Sequence, residues 1–521
     1  MRYLNNKAGS APSDSSEELI SMPISISLQE NLDRLTVLLD SCSDAVIREF
    51  SFGEPYRKGI IVFFDGLVDK KQIESNLLKP LLLELNMQNN QSLQLQQYSN
   101  ILGHIQEHIL SLADLKNLQT LQEVCHHITS GDTVFLIEGY ATGLAAGTRS
   151  WQGRPVQTPE NEVAVFGPKE GLSETLRFNT ANLRRRLKST RFKIESLVLG
   201  RISKTDVAVC YIEGIAPPEL VKEVKARLGK IDIDAILDTG YLAELIADYK
   251  WTIFTQTEHT EKPDRICGQL LEGKVCLMVD GSPMALVLPI SFPEYLISPE
   301  DYYIHFIPAS LFRMLRFIAF VMALSLPSLY VALISYHQEM IPTSLLLTIT
   351  ATRQGVPFPA FMEALLLEAT FEMLREAGLR LPRAVGPAVS IVGALIIGDA
   401  AVRAGLVSTP MVVVVAFTGI ASFVSPSYNA GIIIRIARFA FLLSAAMLGF
   451  LGIIIAAILM LLRMVSLSSF GLPYMSPIAP FNLQQMGDIL MRRPWFKSLK
   501  RPFLDGMENV IRQRNPANNG R

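Results

Sequence analysis

Four glutamates lie close together in the most apolar third of the chain. They occur in the stretch PFPAFMEALLLEATFEMLREAGLRLP, and they are Glu363, Glu368, Glu372 and Glu376. A carboxylate in apolar surroundings is costly unless it is hydrated, paired with a cation or used to attract one. The role of these groups therefore depends on what surrounds the helix that carries them.

The predicted helix separates two faces. At 100° per residue, Glu368, Glu372, Arg375 and Glu376 fall within an arc of about 100°, while Glu363 is isolated near the helix start. Three interpretations remain open. The acidic face lies in water at a membrane interface, or it faces other protein, with Glu372 paired to Arg375. In the third, the acids line a vestibule that concentrates cations.

A second candidate ion path lies in the next apolar segment. Val392, Ile396 and Asp399 share one stripe at helical spacing, so the first two could form a dewetting gate and Asp399 could attract cations. An ionisable group inside an apolar segment usually marks a pathway or a buried pair. The competing interpretation is an intrahelical ion pair between Asp399 and Arg403, four residues on.

The rest of the chain offers little catalytic chemistry. No Ser/His/Asp, Cys/His or carboxylate pair stands out, so we do not expect an enzyme or a cofactor. The five cysteines form no C-x-x-C pair, which predicts buried reduced thiols and no zinc or other metal site. The basic run LRRRLK is interpreted as a solvated helix face or subunit contact, and His126-His127 as a surface pair. A net charge of −1 provides no general attraction to nucleic acid.

Composition divides the chain into a polar and an apolar part. The predicted fold is an α+β cytoplasmic region of two mixed α/β subdomains, followed by an α-helical multi-span membrane domain with a broken, amphipathic helix. The predicted boundaries are a disordered lead at 1–27, subdomains at 28–150 and 151–305, a membrane domain at 306–465 and a basic cytoplasmic tail at 466–521. The polar, Ser-rich start lacks an apolar leader, which predicts a cytoplasmic amino-terminal region.

Local patterns predict the elements of the two subdomains. Apolar periodicity predicts helices over SLQENLDRLTVLLD, SLADLKNLQTLQEV and SETLRFNTANLRRRLK. Short apolar runs predict strands at KGIIVFF, DTVFLIEGY, ESLVLGRIS and DVAVCYIEG, and KVCLMVDGSPMALVLPI predicts a hairpin. RSWQGRPVQTPENE is a predicted linker, and no internal repeat of fixed period is evident.

The apolar part predicts four membrane spans, each long enough to cross hydrocarbon, which takes roughly 20 residues. They are Met314–Tyr336, Val385–Val402, Val407–Val424 and Ile432–Leu462. An even number places both ends on one side. Prolines and a glycine interrupt the segment between the first two spans, which predicts broken helices there. Gly378 is a predicted helix end.

Several of these stretches resemble one family. MIPTSLLLTITATRQGVPFPAFMEALLLEATFEMLREAGLRLPRAVG, SIVGALIIGDAAVRAGLVS and FVSPSYNAGIIIRIARF are similar to A subunits of the nutrient germinant receptors of endospore-forming bacteria. So are GPKEGLSETLRFNTANLRRRLKSTRFKIESLVLGRISKTDVAVCYIEGIA and LLEGKVCLMVDGSPMALVLPISFPEYLISPEDYY in the polar part. The resemblance covers roughly residues 58–455.

The resemblance implies a protein of the spore inner membrane that acts with a nutrient-sensing, transporter-like B subunit and a lipoprotein C subunit. It also implies a self-oligomer, in contact with membrane lipid, around a pore that releases monovalent cations when nutrient binds. A non-conducting scaffold that assembles the other subunits is the alternative. A secondary transporter is a weaker possibility, because no inverted repeats are evident.

Overall fold

A computed structural model describes residues 19–52, 56–84, 101–105, 114–150, 166–380, 398–482, 486–502, 504 and 506–513. Within them, two five-stranded antiparallel sheets precede a bundle of apolar helices. The prediction of a mixed α/β region followed by a helical region is therefore confirmed. The predicted linker lies outside the described residues from position 151 onwards, as do residues 1–18.

The first unit consists of one sheet and its helices. Its elements are α1 (Leu28–Leu38), β1 (Ala45–Phe52), β2 (Arg57–Phe64), β3 (Leu115–Leu118), α2 (Leu121–Thr129), β4 (Thr133–Ile137) and β5 (Gly143–Ala146). Between β2 and β3 the chain forms helical turns at Lys70–Gln72, Ile73–Leu78, Pro80–Glu84 and Ile101–His104. The strand order is β1-β2-β4-β5-β3. Ordered structure begins before residue 28, because Ile24 is buried and its N–H donates to the Gln119 carbonyl at 2.9 Å.

The second unit contains the predicted hairpin. Its elements are α3 (Leu176–Arg186), β6 (Phe192–Leu199), β7 (Thr205–Ile212), α4 (Pro218–Leu228), α5 (Thr239–Leu245), β8 (Glu258–Thr260), α6 (Pro263–Leu271), β9 (Val275–Val279) and β10 (Ala285–Leu288). The strand order is β6-β7-β9-β10-β8. Strands β9 and β10 pair antiparallel, and Gly281 between them has φ +91°, which favours glycine.

The two units repeat one topology. Numbering the strands within each unit gives the same order, and helices precede corresponding strands. Local hydrogen bonds repeat as well. Asn31 Oδ1 accepts the Ser25 N–H at 2.8 Å, and its Nδ2 donates to the Ser25 carbonyl at 2.7 Å. Asn179 makes the same two bonds to Ser173, at 2.8 and 2.6 Å. The sequence shows no repeat of fixed period, and the repeat is visible only in the backbone topology.

A buried arginine joins the two units. Arg184 is 0% exposed, and its Nε and Nη2 donate to the two Asp44 carboxylate oxygens at 2.9 and 2.8 Å. Its Nη1 donates to the Phe192 carbonyl at 2.7 Å, and its guanidinium lies 4.2 Å from the Phe64 ring centroid. The interpretation of LRRRLK as a solvated face was wrong for Arg184, which points across the contact between units. Its neighbour Arg185 pairs with Glu170.

One predicted helix was half wrong. In SLADLKNLQTLQEV, Leu115–Leu118 form β3, which pairs with β5, and the helix begins only at Leu121. The reason is a capping box: Thr120 accepts the Glu123 N–H at 3.3 Å, and Glu123 accepts the Thr120 N–H at 3.3 Å. Helical periodicity alone did not reveal this start.

The cysteine prediction is confirmed. All five thiols are free and buried. Burial raises the pKa of Cys125 and of Cys267 to about 12, so both are protonated at neutral pH. Cys42 lies at the contact between the units, with its Sγ 3.9 Å from the Phe192 carbonyl oxygen.

The helical region differs from the prediction at Gly449 and at Gly378. Its long elements are α7 (Phe306–Tyr336), α8 (Thr343–Arg353), α9 (Ala360–Arg380), α10 (Thr409–Phe423), α11 (Tyr428–Leu448) and α12 (Phe450–Ser466). The predicted span Ile432–Leu462 is two helices, because Gly449 at φ +61° turns the chain. A Cβ at Gly452 would lie 2.0 Å from the Ser444 carbonyl oxygen, so α11 and α12 cross in backbone contact. Helix α9 continues past Gly378.

Both ends of the helical region meet the second unit. At the start of α7, Arg313 Nε donates to Asp301 Oδ2 at 2.8 Å, and both side chains are buried. Arg313 also pairs with Asp488 of the carboxy-terminal tail at 3.2 Å. After α12, Ser469 Oγ donates to the Gln256 carbonyl at 2.7 Å. The helical region therefore leaves the second unit and returns to it.

Replacing Arg184 by alanine is expected to lower the free energy of unfolding by about 3–5 kcal/mol, because Asp44 is left buried without its counter-charge. Urea unfolding of the full chain is monitored by the accessibility of Cys42 to a thiol reagent. This measures the loss of stability at the contact between the units. Arg201→Ala is the matched control, since its pair with Asp232 is exposed and should contribute nothing measurable. Equal unfolding of the two variants would contradict a stabilising role for Arg184.

Candidate functional site

Helix α9, here called the carboxylate helix, packs inside the helical region. Ala360, Ala364 and Leu367 on its first turns are buried in one cluster with Met411 of α10 and Leu442 of α11. Pro359 precedes the helix, and the residues before it form the separate helix α8, as the prolines predicted. The carboxylate helix therefore contacts helices on more than one side, and its glutamates meet different neighbours along its length.

Glu363 is held by two elements. It is 0% exposed, and its Oε1 lies 3.0 Å from Arg353 Nη2 at the end of α8. Its Oε2 accepts the Ser408 N–H at 2.9 Å and the Ser408 hydroxyl at 2.8 Å. Ser408 is the residue before α10, so the carboxylate lies at a helix amino terminus, where negative charge is favoured. Glu363 is separated from the other glutamates on the helical wheel, and it accordingly has partners of its own.

Glu368 forms a deeply buried ion pair. Its Oε2 lies 2.5 Å from Arg438 Nη1, and both side chains are 1% exposed. Arg438 Nε donates to the Ala323 carbonyl of α7 at 2.8 Å. One interaction therefore connects α7, the carboxylate helix and α11.

This pair is not fully satisfied. Glu368 Oε1 and Arg438 Nη2 are buried and have no hydrogen-bond partner within the described part of the chain. A buried polar atom without a partner costs about 1–3 kcal/mol, and more when it is charged. The pair therefore compensates its charges without using all of its hydrogen-bonding atoms.

Glu372 is shared between two arginines. Its Oε2 lies 3.3 Å from Arg435 Nη1, and its Oε1 lies 3.6 Å from Arg375 Nη1. Arg375 also donates to the Ser422 hydroxyl at 2.6 Å, and its guanidinium lies 4.6 Å from the Phe423 ring centroid. A cation–π contact with an aromatic ring stabilises a partly desolvated arginine. The Glu372–Arg375 contact considered in the sequence is thus part of a larger network.

Glu376 lies in a different environment. It is exposed and pairs with Arg380 one turn on, with Arg380 Nε donating to Glu376 Oε1 at 2.8 Å. Along the carboxylate helix the glutamates therefore pass from buried pairs near the start to an exposed pair at the end.

The second candidate site is described only in part. Asp399 Oδ2 lies 2.9 Å from Arg403 Nε, and both side chains are exposed. This is the intrahelical pair that the spacing allowed. Val392 and Ile396 lie outside the described residues. A pore stripe through these three residues therefore stays a prediction.

The sequence interpretation missed the partners of the buried glutamates. Arg353, Arg435, Arg438 and Ser408 were not assigned to them. A usable signal was present, because Arg435 and Arg438 lie three residues apart in an apolar run, and Glu368 and Glu372 lie four apart. Such spacings place each pair on one helix face, so the two faces match in charge.

A cavity of 450 Å³ lies between the second unit and the carboxy-terminal tail. Its walls include Leu271, Tyr302 and Trp495, together with Glu272 and Arg512, which pair at 2.5 Å. Burial raises the pKa of Glu272. Among the described residues no group of three His, Cys, Asp or Glu side chains could hold a metal ion.

Known proteins match most of the length of this chain. The sequence model of the family described as Bacillus/Clostridium GerA spore germination protein matches residues 33–504. Spore germination protein KA of Bacillus subtilis is 42% identical over 94% of this chain and 89% of its own. Spore germination protein GerLA of Bacillus cereus is 36% identical over 91% of this chain and 95% of its own.

Two further comparisons concern a membrane protein and a solved structure. The uncharacterized membrane protein YfkQ of Bacillus subtilis is 40% identical over 92% of this chain and 91% of its own. The crystal structure of the N-terminal domain of the A subunit of the Bacillus megaterium spore germinant receptor GerK3 aligns with 52% of this chain and 99% of its own. Identity there is 32% and the TM-score is 0.41.

Glu368→Ala and Arg438→Ala are each expected to lower the free energy of unfolding by about 3–5 kcal/mol, because each leaves an unpaired charge buried. The double variant Glu368→Leu/Arg438→Met removes both charges and should lose much less. Denaturation of the full chain in detergent measures all three. Glu376→Ala is the control, because its pair is exposed. A double variant as unstable as the sum of the single variants would show that the pair is not coupled.

Proposed function

Because the chain belongs to the GerA family of spore germination proteins, we propose that it is the A subunit of a germinant receptor that releases cations through a membrane. In this proposal several copies assemble around a pore, and nutrient binding to the receptor opens it. The observation that carries the proposal is the polarity of the helical region. Charged side chains such as Glu363, Glu368 and Arg438 are buried inside it, while many large apolar side chains are exposed on its outside.

The outer surface supports insertion into a bilayer. The described residues contain two helices long and apolar enough to cross a membrane, α7 and α11. Exposed apolar side chains on α7, α11 and α12 include Leu311, Phe312, Leu315, Ile318, Met447, Leu451, Ile454, Ile458, Leu459 and Leu462. An apolar surface of this extent is unfavourable in water and favourable in lipid. Buried Glu368 and Arg438 fit this environment because they neutralise one another.

The connections support an arrangement with both ends on one side. Helix α7 begins, and α12 ends, beside the second unit. The chain then crosses an even number of times, with both sheet units and the tail on the same side. We assign that side to the cytoplasm, because the tail segment MRRPWFKSLKR is basic and follows the positive-inside rule. We further propose that this membrane is the inner membrane of the spore.

Cation release needs an acidic path between copies. Asp399 is exposed, at the end of a segment that also contains Val392 and Ile396. Rings of such carboxylates, one from each copy, concentrate cations, and apolar rings above them gate by dewetting. The free atoms of the Glu368–Arg438 pair lie within the same helical region and could exchange partners when the helices move. The nutrient itself is expected to bind a transporter-like B subunit, with a lipoprotein C subunit completing the receptor.

A specific observation favours a second candidate, a non-conducting scaffold. Glu363, Glu368 and Glu372 each contact an arginine within one chain, so little acidic charge is left free for passing ions. In that case the ion pairs hold helices in place, and the subunit only assembles its partners.

Asp399→Asn is expected to lower potassium release, because it removes one negative charge per copy from the proposed path. Purified oligomers in liposomes loaded with potassium measure the rate. Glu376→Gln is the matched control, because this glutamate is also exposed and paired within its own helix but lies outside the proposed path. Normal release from the Asp399 variant would remove Asp399 from the path. No release from any preparation, with or without the partner subunits, would favour the scaffold.

A further inference from the structure

One tryptophan of the second unit is almost fully exposed. Trp251 is 97% exposed, and the side chain of Ile253, two residues on, is 39% exposed. A fully exposed tryptophan is unusual on a soluble surface, because the indole is large and mostly apolar. The segment Tyr249–Phe254, here called the tryptophan loop, joins α5 to β8 and belongs to neither.

The loop is fixed against the end of the last membrane helix. Tyr249 Oη donates to the Ser466 carbonyl at 3.4 Å, and the Arg463 guanidinium lies 5.6 Å from the Tyr249 ring centroid. Phe254 is buried in a cluster with Met464 of α12. The loop therefore lies at the level of the last turn of α12, held at both of its ends.

The apolar outer face of α12 leads directly to this level. Leu462 and Val465 are 62% and 52% exposed on its last two turns. Arg463 is exposed beside them, and Lys250 is exposed beside Trp251. Tryptophan and tyrosine with flanking basic residues are enriched where a bilayer meets water. Basic side chains there also contact anionic headgroups.

From this arrangement we propose that the tryptophan loop inserts into the headgroup region of the bilayer and anchors the second sheet unit to the membrane surface. Trp251 and Ile253 supply the apolar contact, and Lys250 and Arg463 face the lipid phosphates. The loop thereby fixes the height of the second unit relative to the helices. The inference rests on the membrane placement proposed above, and it concerns a part of the chain outside the predicted spans.

Fluorescence quenching by lipid tests the anchor. The full chain is reconstituted in vesicles whose lipids carry bromine at a shallow or a deep acyl position. The unaltered chain should lose emission with shallow bromolipid, and Trp251→Phe should remove that quenched component. Comparing these two proteins isolates Trp251 without altering either of the other tryptophans, Trp151 and Trp495.

A second variant separates this inference from the membrane proposal. Ile458→Trp, combined with Trp251→Phe, places a tryptophan at an exposed position in the middle of α12, where deep bromolipid should quench it. If this probe is not quenched, membrane insertion itself fails. If it is quenched but the Trp251 component instead responds to aqueous iodide, the anchor is wrong. A Trp251 component shielded from iodide and from bromolipid would also overturn the anchor, and would indicate a protein partner or a second copy on the loop.

Discussion

The ion pair between Glu368 and Arg438 joins three helices at one point, because Arg438 also donates to the Ala323 carbonyl of α7. Both side chains are buried, so each charge depends on the other for compensation. With Glu368 fixed, the turns on either side of it bring Glu363 to Ser408 and Glu372 to Arg435. The packing of the helical region therefore follows from pairing charges inside an apolar shell.

The sequence predicted the elements better than their partners. Helices α1 and α3, the β9–β10 hairpin and the breaks around α8 follow from periodicity and from glycine and proline, which act locally. The burial of Arg184 did not follow, because it depends on Asp44, far away in the other unit. For the same reason the glutamate face of α9 was predicted while the arginines that meet it were not. Gly449 was missed because a glycine inside an apolar run also occurs within helices.

The duplicated units have taken different positions in the molecule. The first unit contacts the second through Arg184 and Cys42, whereas the second also contacts α7, α12 and the tail. The tail lies across the start of α7, where Asp488 approaches Arg313. Movement of the second unit therefore acts on the first helix and on the tail together.

The return of the chain after α12 affects the order in which the protein is made. Tyr474 is fully buried and packs against Phe254 and Phe292 of the second unit, with ring centroids 6.1 Å from each. These aromatic rings are synthesised before the helices, and Tyr474 only after them. On the ribosome, this side of the second unit stays unfinished until every helix has been synthesised. Completion of that core therefore comes after synthesis of the helical region.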